Sequence, residues 1–240
     1  MIVEVQNLWR TFGGVAAVAG VNFSLQPGEL RCLIGANGAG KSTFFKLLSG
    51  QLKPSAGTIR IMGKDTSRYS PFEIARLGVG IKTQVPNLFN GLSVRENLRI
   101  AAMRRLGSRE AERAAEAMLA EVLLESIAAE EVGRLSHGQR QWVELGMVLV
   151  CDPKLVLLDE PAAGMTRGEV EHTIQLISKL RGDRALVIVE HDMHFIRAIA
   201  EKVTVFHRGR IIVENTMEEV LRNAEVRGAY LGQKAGGLNV

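Results

Sequence analysis

The chain has 240 residues, 46% hydrophobic and 23% charged, with 30 Lys and Arg against 26 Asp and Glu for a net charge of +4. This is the balance of one or two globular domains that can bury a core unaided, and it is unlike a disordered or membrane-integral chain. No apolar run reaches the ~20 residues needed to cross a bilayer, the start "MIVEVQNLWR" is unlike a signal peptide, and the charges are scattered rather than blocked, which gives little support to a nucleic-acid face. The chain is expected to stay in the cytoplasm, with Cys32 and Cys151, which lack CxxC spacing, as small core residues.

From the N-terminus, short β-type runs alternate with turns at Phe12-Gly13-Gly14 and Pro27-Gly28, which predicts two or three strands paired through hairpins. "LRCLIG" then has the continuous apolar character of a parallel strand covered on both faces. It runs into a glycine loop, after which "KSTFFKLLSG" has helical spacing and a glycine stop. A further strand pair is expected around "GTIRIMGKD". Residues 86–150 carry the best helical patterns and read as an inserted helical subdomain. Within them "SREAERAAEAMLAEVLL" puts Ala114, Met118, Leu119 and Val122 on one stripe, with Glu and Arg opposite. Next comes a β–α rhythm of "KLVLLDE", "RGEVEHTIQLISKL", "ALVIVEHD", "MHFIRAIAEK" and "VTVFHRG", so the fold class is α/β around a mostly parallel sheet. The tail "KAGGLNV" is expected to fray.

"GANGAGKS", Gly35 to Ser42, fits G-x-x-x-x-G-K-[ST] between a strand and a helix, the context a phosphate-binding loop requires. Gly35, Gly38 and Gly40 permit a backbone that turns successive N–H groups toward phosphates at a helix N-terminus. Lys41 adds a point charge, and the Ser42 hydroxyl can ligate Mg²⁺. Asp159, at the end of "KLVLLDE", is expected beside this loop as a metal-holding carboxylate, and Glu160, one step further out, is placed to orient or deprotonate a water. A phosphate loop alone leaves kinases, GTPases, helicases and transport ATPases open.

"GRLSHGQRQWVEL" admits three readings: a helix cap through the capping box Ser136-x-x-Gln139, a catalytic Ser/His pair, or half of a binding site. The hydrolase reading is poor, because adjacent side chains at a helix start do not face each other and no third orienting group is evident.

Taken together these stretches resemble the ATP-binding subunit of ABC transporters over almost the whole chain, read as one cassette, residues 1–240. Gly35, Ala36, Asn37, Gly38, Ala39, Gly40, Lys41, Ser42 and Thr43 look like Walker A, Leu155–Glu160 like Walker B with its catalytic glutamate, and Leu135–Gln139 like the ABC signature. Gln84 resembles the Q-loop glutamine, His191 the switch histidine, and Phe12 the aromatic that stacks on adenine. The resemblance implies a P-loop fold with an N-terminal antiparallel β subdomain and an inserted helical subdomain, ATP and Mg²⁺ as ligands, and head-to-tail pairing with a second ATPase subunit. In that pairing Ser136, Gly138 and Gln139 of one chain cap the nucleotide of the other. It also implies Mg²⁺ on Ser42, Gln84 and Asp159, catalytic roles for Glu160, His191 and Gln84, and permease subunits docked through the segment after Gln84 at the cytoplasmic face of the membrane. A substrate-binding protein would act indirectly, and no nucleic acid is expected. His137 stands where glycine is commoner and Thr166 where many members carry Asp. His137 and Met165 point to the branch that imports urea and short-chain amides, next to the branched-chain amino-acid importers. A soluble DNA-repair ATPase would need coiled-coil heptads between Walker A and the signature, a translation factor would carry two cassettes, and a non-hydrolysing module is expected to lack Glu160 or His191.

Overall fold

The structure is a computed structural model that describes residues 1–84 and 87–228; the tail "KAGGLNV" and the "AYLG" before it lie outside the described residues. Strands β1 (Val3–Phe12) and β2 (Val15–Leu25) form the expected hairpin. Its turn is Gly13 and Gly14 at φ 51° and 87°, the left-handed conformation that a tight hairpin demands and glycine adopts without strain. The other edge of β1 pairs with β4 (Ala56–Ile61), which pairs with the short β5 (Lys64–Asp65), giving an antiparallel sheet of order β2-β1-β4-β5. This is the strand pair expected around "GTIRIMGKD".

The second sheet has the order β10-β9-β3-β8-β7-β6, from β3 (Leu30–Ile34), β6 (Val79–Lys82), β7 (Leu155–Asp159), β8 (Ala185–Val189), β9 (Lys202–His207) and β10 (Arg210–Asn215). All pairings are parallel except that of the edge strand β10. Every residue of β3, β7 and β8 is buried, which is why these strands read as continuous apolar runs. Their side chains alternate between two cores. Leu155 and Leu157 of β7 enter the core shared with the antiparallel sheet, whereas Val156 and Leu158 face the helices. In the first core lies helix α1 (Lys41–Leu48), whose Phe44 ring sits 5.3 Å from Phe23 of β2 and 5.2 Å from Phe206 of β9, so one side chain locks both sheets together.

After α2 (Pro71–Arg76), residues 94–149 hold α3 (Val94–Met103), α4 (Ser108–Glu121) and α5 (His137–Leu149); α6 (Arg167–Leu180), α7 (Met193–Ile199) and α8 (Met217–Arg222) follow. The helix starts are chemically explicit: Ser70/Glu73, Ser93/Glu96, Ser136/Gln139 and Thr166/Glu169 are reciprocal capping boxes on α2, α3, α5 and α6. The stripe expected on α4 is met at Met118, Leu119 and Val122 and differs at its alanines. Its buried residues are Ala111, Ala115, Met118 and Leu119, with Val122 buried beyond the last turn, while Ala114 sits half-buried at the rim. The i, i+4, i+7, i+8 set that faces the core begins at Ala111, and the like alanines at 111, 114 and 115 hid its phase. Both cysteines are buried and free.

Candidate nucleotide-binding site

The site forms at the C-terminal ends of β3, β8 and β7, adjacent strands of the parallel sheet. β3 ends in the loop Gly35–Gly40, wedged between other parts of the backbone. A Cβ at Gly35 would stand 2.3 Å from the Phe206 carbonyl oxygen, and one at Gly40 would stand 2.5 Å from that of Ala17. Both glycines are at positive φ, so crowding and conformation demand the same residue. The Lys41 Nζ folds into the loop and donates to the Gly35 and Ala36 carbonyls at 2.7 and 3.2 Å. Burial holds this ammonium below the usual lysine range, against the pull of Glu160 and Asp159. Ser42 is exposed in the first turn of α1 and Thr43 half-buried, and the first-turn amides have no intrahelical acceptor, so ammonium, amides and helix dipole converge on one anion site.

Asp159 ends β7 with its side chain buried. Burial and then the neighbouring Glu160 charge push its carboxyl above the ordinary range, with Lys46 and Lys82 opposing. Among the described residues no group of three or more His, Cys, Asp or Glu gathers as a metal centre. The Asp159 carboxylate, with the Ser42 hydroxyl in the first turn of α1, is a hard oxygen donor set of the kind that suits Mg²⁺, which takes much of its coordination from substrate phosphates and water.

Glu160 has φ 48°, a left-handed backbone unusual for a residue with a side chain, and its amide bonds the Val189 carbonyl at 2.9 Å. That turn swings its carboxylate off the strand line. Gln84 Nε2 donates to Glu160 Oε2 at 3.0 Å, and His191 Nδ1 stands 3.8 Å from Glu160 Oε1. Residues 84, 160 and 191, far apart in sequence, thus meet around one carboxylate. With the amide nitrogen of Gln84 turned to Glu160, the acceptor end of that side chain is Oε1.

At the start of α5 the Ser136 hydroxyl accepts from the Gln139 amide at 3.2 Å, and the Ser136 amide donates to Gln139 Oε1 at 3.0 Å. The Ser136 hydroxyl also reaches Glu169 Oε1 of α6 at 3.3 Å. A Cβ at Gly138 would lie 2.2 Å from that same oxygen, so the glycine makes room for a carboxylate at the helix N-terminus. The His137 ring turns away, its Nε2 bonding the Ala163 carbonyl at 3.0 Å, which removes the Ser/His pair as a chemical unit. Thr166, in the place of the commoner Asp, is the N-cap of α6. Phe12 is 43% exposed, its ring covered by the Arg10 guanidinium 4.5 Å from the centroid.

Three features lay beyond the sequence reading. Glu190 is buried, with His191 Nδ1 3.4 Å from its Oε2. Glu169 sits at the signature. Lys82 and Glu144 form a buried ion pair at 3.3 Å, outside hydrogen-bond geometry, that joins the end of β6 to α5. Glu144 also accepts from the Asn87 amide at 3.1 Å, just beyond the Gln84 segment. Burial pushes its carboxyl up, with the Lys82 charge and the Asn87 bond opposing. A glutamate inside the apolar stretch "QWVELGMVL" was the available signal for this pair.

The profile of the ABC transporter family matches residues 18–163, well over half of the chain. The chain belongs to the ABC transporter family. It is 34% identical over 250 residues, 97% of this chain and 98% of the relative, to the high-affinity branched-chain amino acid transport ATP-binding protein BraF of Pseudomonas aeruginosa. It is also 34% identical over 251 residues to LivG of Escherichia coli, a protein of the same description, with 97% and 98% covered. An ATP-binding cassette of an ABC transporter in its ADP conformation superposes with a TM-score of 0.87 at 28% identity, covering 96% of this chain and 98% of that one. A dimeric cassette in a post-hydrolysis state with ADP and phosphate gives 0.79 at 25% identity, covering 90% and 98%. This ABC protein is an ATPase that binds ATP and uses Mg²⁺.

Proposed function

We propose that this ATPase closes head to tail with a second cassette, its own copy or a sister chain, on permease subunits at the cytoplasmic face of the membrane, to drive uptake of a small solute handed over by a substrate-binding protein. In this reading residues from about 86 to 150 form the inserted helical subdomain. The observation that carries it is the meeting of Gln84, Glu160 and His191. Lys41 and the amides from Gly38 to Thr43 hold the phosphates, and Ser42, Gln84 and Asp159 hold Mg²⁺, which when bound neutralises charge on the transferring phosphoryl group. Glu160 orients the attacking water and accepts its proton, His191 meets the γ-phosphate, and Phe12 stacks on the base. Ser136, Gly138 and Gln139 cap the nucleotide of the other cassette.

No helix among the described residues is long and apolar enough to cross a membrane. Permease docking is supported by a cleft of about 690 Å³, lined by Phe72, Gln84, Asn87 and Arg104, that runs into a second of about 530 Å³ lined by Phe89, Ile100 and Met103. Phe72, Phe89 and Met103 are exposed apolar side chains around it, as a partner-binding groove requires.

For the cargo, the relatives favour branched-chain amino acids. The urea or short-chain amide reading stands on His137 and Met165. Within the fold both make intramolecular contacts, His137 with the Ala163 carbonyl and Met165 with its Sδ 3.2 Å from the Thr173 hydroxyl, which calls for no particular cargo. ATPase stimulation in the reconstituted importer by a leucine-loaded against a urea-loaded binding protein separates the two.

Glu160→Gln tests the chemistry. The variant is expected to bind ATP and accumulate as a dimer while turnover falls by about 10²-fold or more. Ordinary steady-state hydrolysis in it would remove Glu160 as the base.

A further inference from the structure

We propose that Glu190 is a positioning residue for hydrolysis: it fixes the His191 ring with its proton on Nδ1 and ties that ring to the loop bearing Glu160. The inference rests on the reading above that His191 meets the γ-phosphate.

Glu190 follows β8, the strand between the phosphate-loop strand β3 and the Glu160 strand β7, and its amide still reaches across to the Leu33 carbonyl at 3.4 Å. Its side chain is 1% exposed, in a place where a carboxylate is costly unless hydrogen-bonded. The partners are backbone amides from two directions. Oε1 accepts from Ala162, two residues beyond Glu160, at 3.2 Å. Oε2 accepts from His191 at 2.6 Å and from Asp192, the N-cap of α7, at 3.3 Å. One buried carboxylate therefore clasps the segment after Glu160 and the segment that carries His191. Neither segment can shift without breaking a charge-assisted bond.

The same carboxylate decides how the ring is presented. His191 Nδ1 stands 3.4 Å from Glu190 Oε2 and 3.8 Å from Glu160 Oε1. A bare lone pair there would face two carboxylate oxygens and be repelled, whereas an N–H is attracted by both. The proton belongs on Nδ1, and Nε2 lies on the free edge of a ring that is 59% exposed. A second carboxylate behind a working imidazole commonly sets tautomer and orientation in this way.

The amide of Glu190→Gln cannot replace this arrangement: one end of the side chain becomes an NH₂ that must face either the Ala162 or the His191 and Asp192 donors. In the full-length ATPase we expect Glu190→Gln to leave the Kd of a fluorescent ATP analogue within about 2-fold and to lower kcat by about 10- to 100-fold, the range for removing a group that orients a working ligand. Selective ¹⁵N labelling of histidine, with the His191 signals assigned through His191→Gln, is expected to show the Nδ1–H form in the wild type and a shift toward Nε2–H in Glu190→Gln. Glu190→Asp, which keeps the charge on a shorter arm, should keep the Nδ1–H form and recover part of kcat. A wild-type ring protonated on Nε2, a tautomer unmoved by Glu190→Gln, or an unchanged kcat overturns the proposal. His191→Ala run alongside separates the two ideas: full turnover there removes His191 from the γ-phosphate, while the tautomer measurement still judges the contact with Glu190.

Discussion

Asp159 illustrates what a nucleotide site asks of a single residue. Its carboxyl is pushed above the ordinary range by burial and by Glu160. A group bound more tightly to its proton in the native state stabilises the fold below its unfolded value, near pH 3.8, and that contribution is lost as pH rises through the native value. At neutral pH the nucleotide-free protein therefore carries a penalty. Asp159→Asn is expected to raise the Tm of the nucleotide-free protein at pH 7–8, with the gain shrinking to nothing in acid below about pH 4, while Mg²⁺-dependent turnover is lost. A lower Tm at pH 7.5, measured without nucleotide, would contradict the sign. The grouping of Lys41, Asp159 and Glu160 was legible in the sequence because each ends or follows an apolar strand of one parallel sheet, which brings their charges within reach of one another. Glu190 was not. In "LVIVEHD" a glutamate after an apolar strand looks like any polar strand end, and its meaning lies in the Ala162 amide, 28 positions away.

Among the elements, α5 shows how two glycines in one helix can serve unlike ends. At Gly138 an added Cβ would collide with the Glu169 carboxylate, which caps α6. At Gly146 it would meet the tip of Leu98 at 2.9 Å and Met118 at 3.4 Å, flexible side chains of α3 and α4. Gly138→Ala is expected to expel Glu169, cost about 1 kcal/mol through the lost cap, and depress ATPase activity. For Gly146→Ala, the helix-propensity gain of about 1 kcal/mol offsets the displacement of Leu98, so stability and activity should stay near wild type. Urea midpoints and turnover of the two variants check this, and equal losses would dismiss the distinction. The cap of α5 was readable because a capping box is a local pattern. The buried phase of α4 was less so, since Ala111, Ala114 and Ala115 look alike until the core that selects two of them is in place.

For the molecule as a whole, the Lys82–Glu144 pair links the β6 end of the parallel sheet to the helices across it. Removing one member strands a buried charge, so Glu144→Gln is expected to cost about 3–5 kcal/mol, whereas joint replacement by Met and Leu should be close to neutral. A double-mutant cycle by urea unfolding tests this; a single-variant cost below about 1 kcal/mol would mean that water reaches the pair. The α/β class and the order of the site segments along the chain were legible, because βαβ units and phosphate loops write themselves into local patterns. The division into two cores, with Phe44 reaching both sheets, was not, since it depends on which strands become neighbours.

That division has a mechanical corollary. Alternate residues of β7 belong to different cores, so a slip of one residue would exchange Leu157 and Leu158 between them and break both. Gly35, Glu160 and Glu190, each the first residue after β3, β7 or β8, therefore leave strand ends whose register the two cores fix like marks on a ruler.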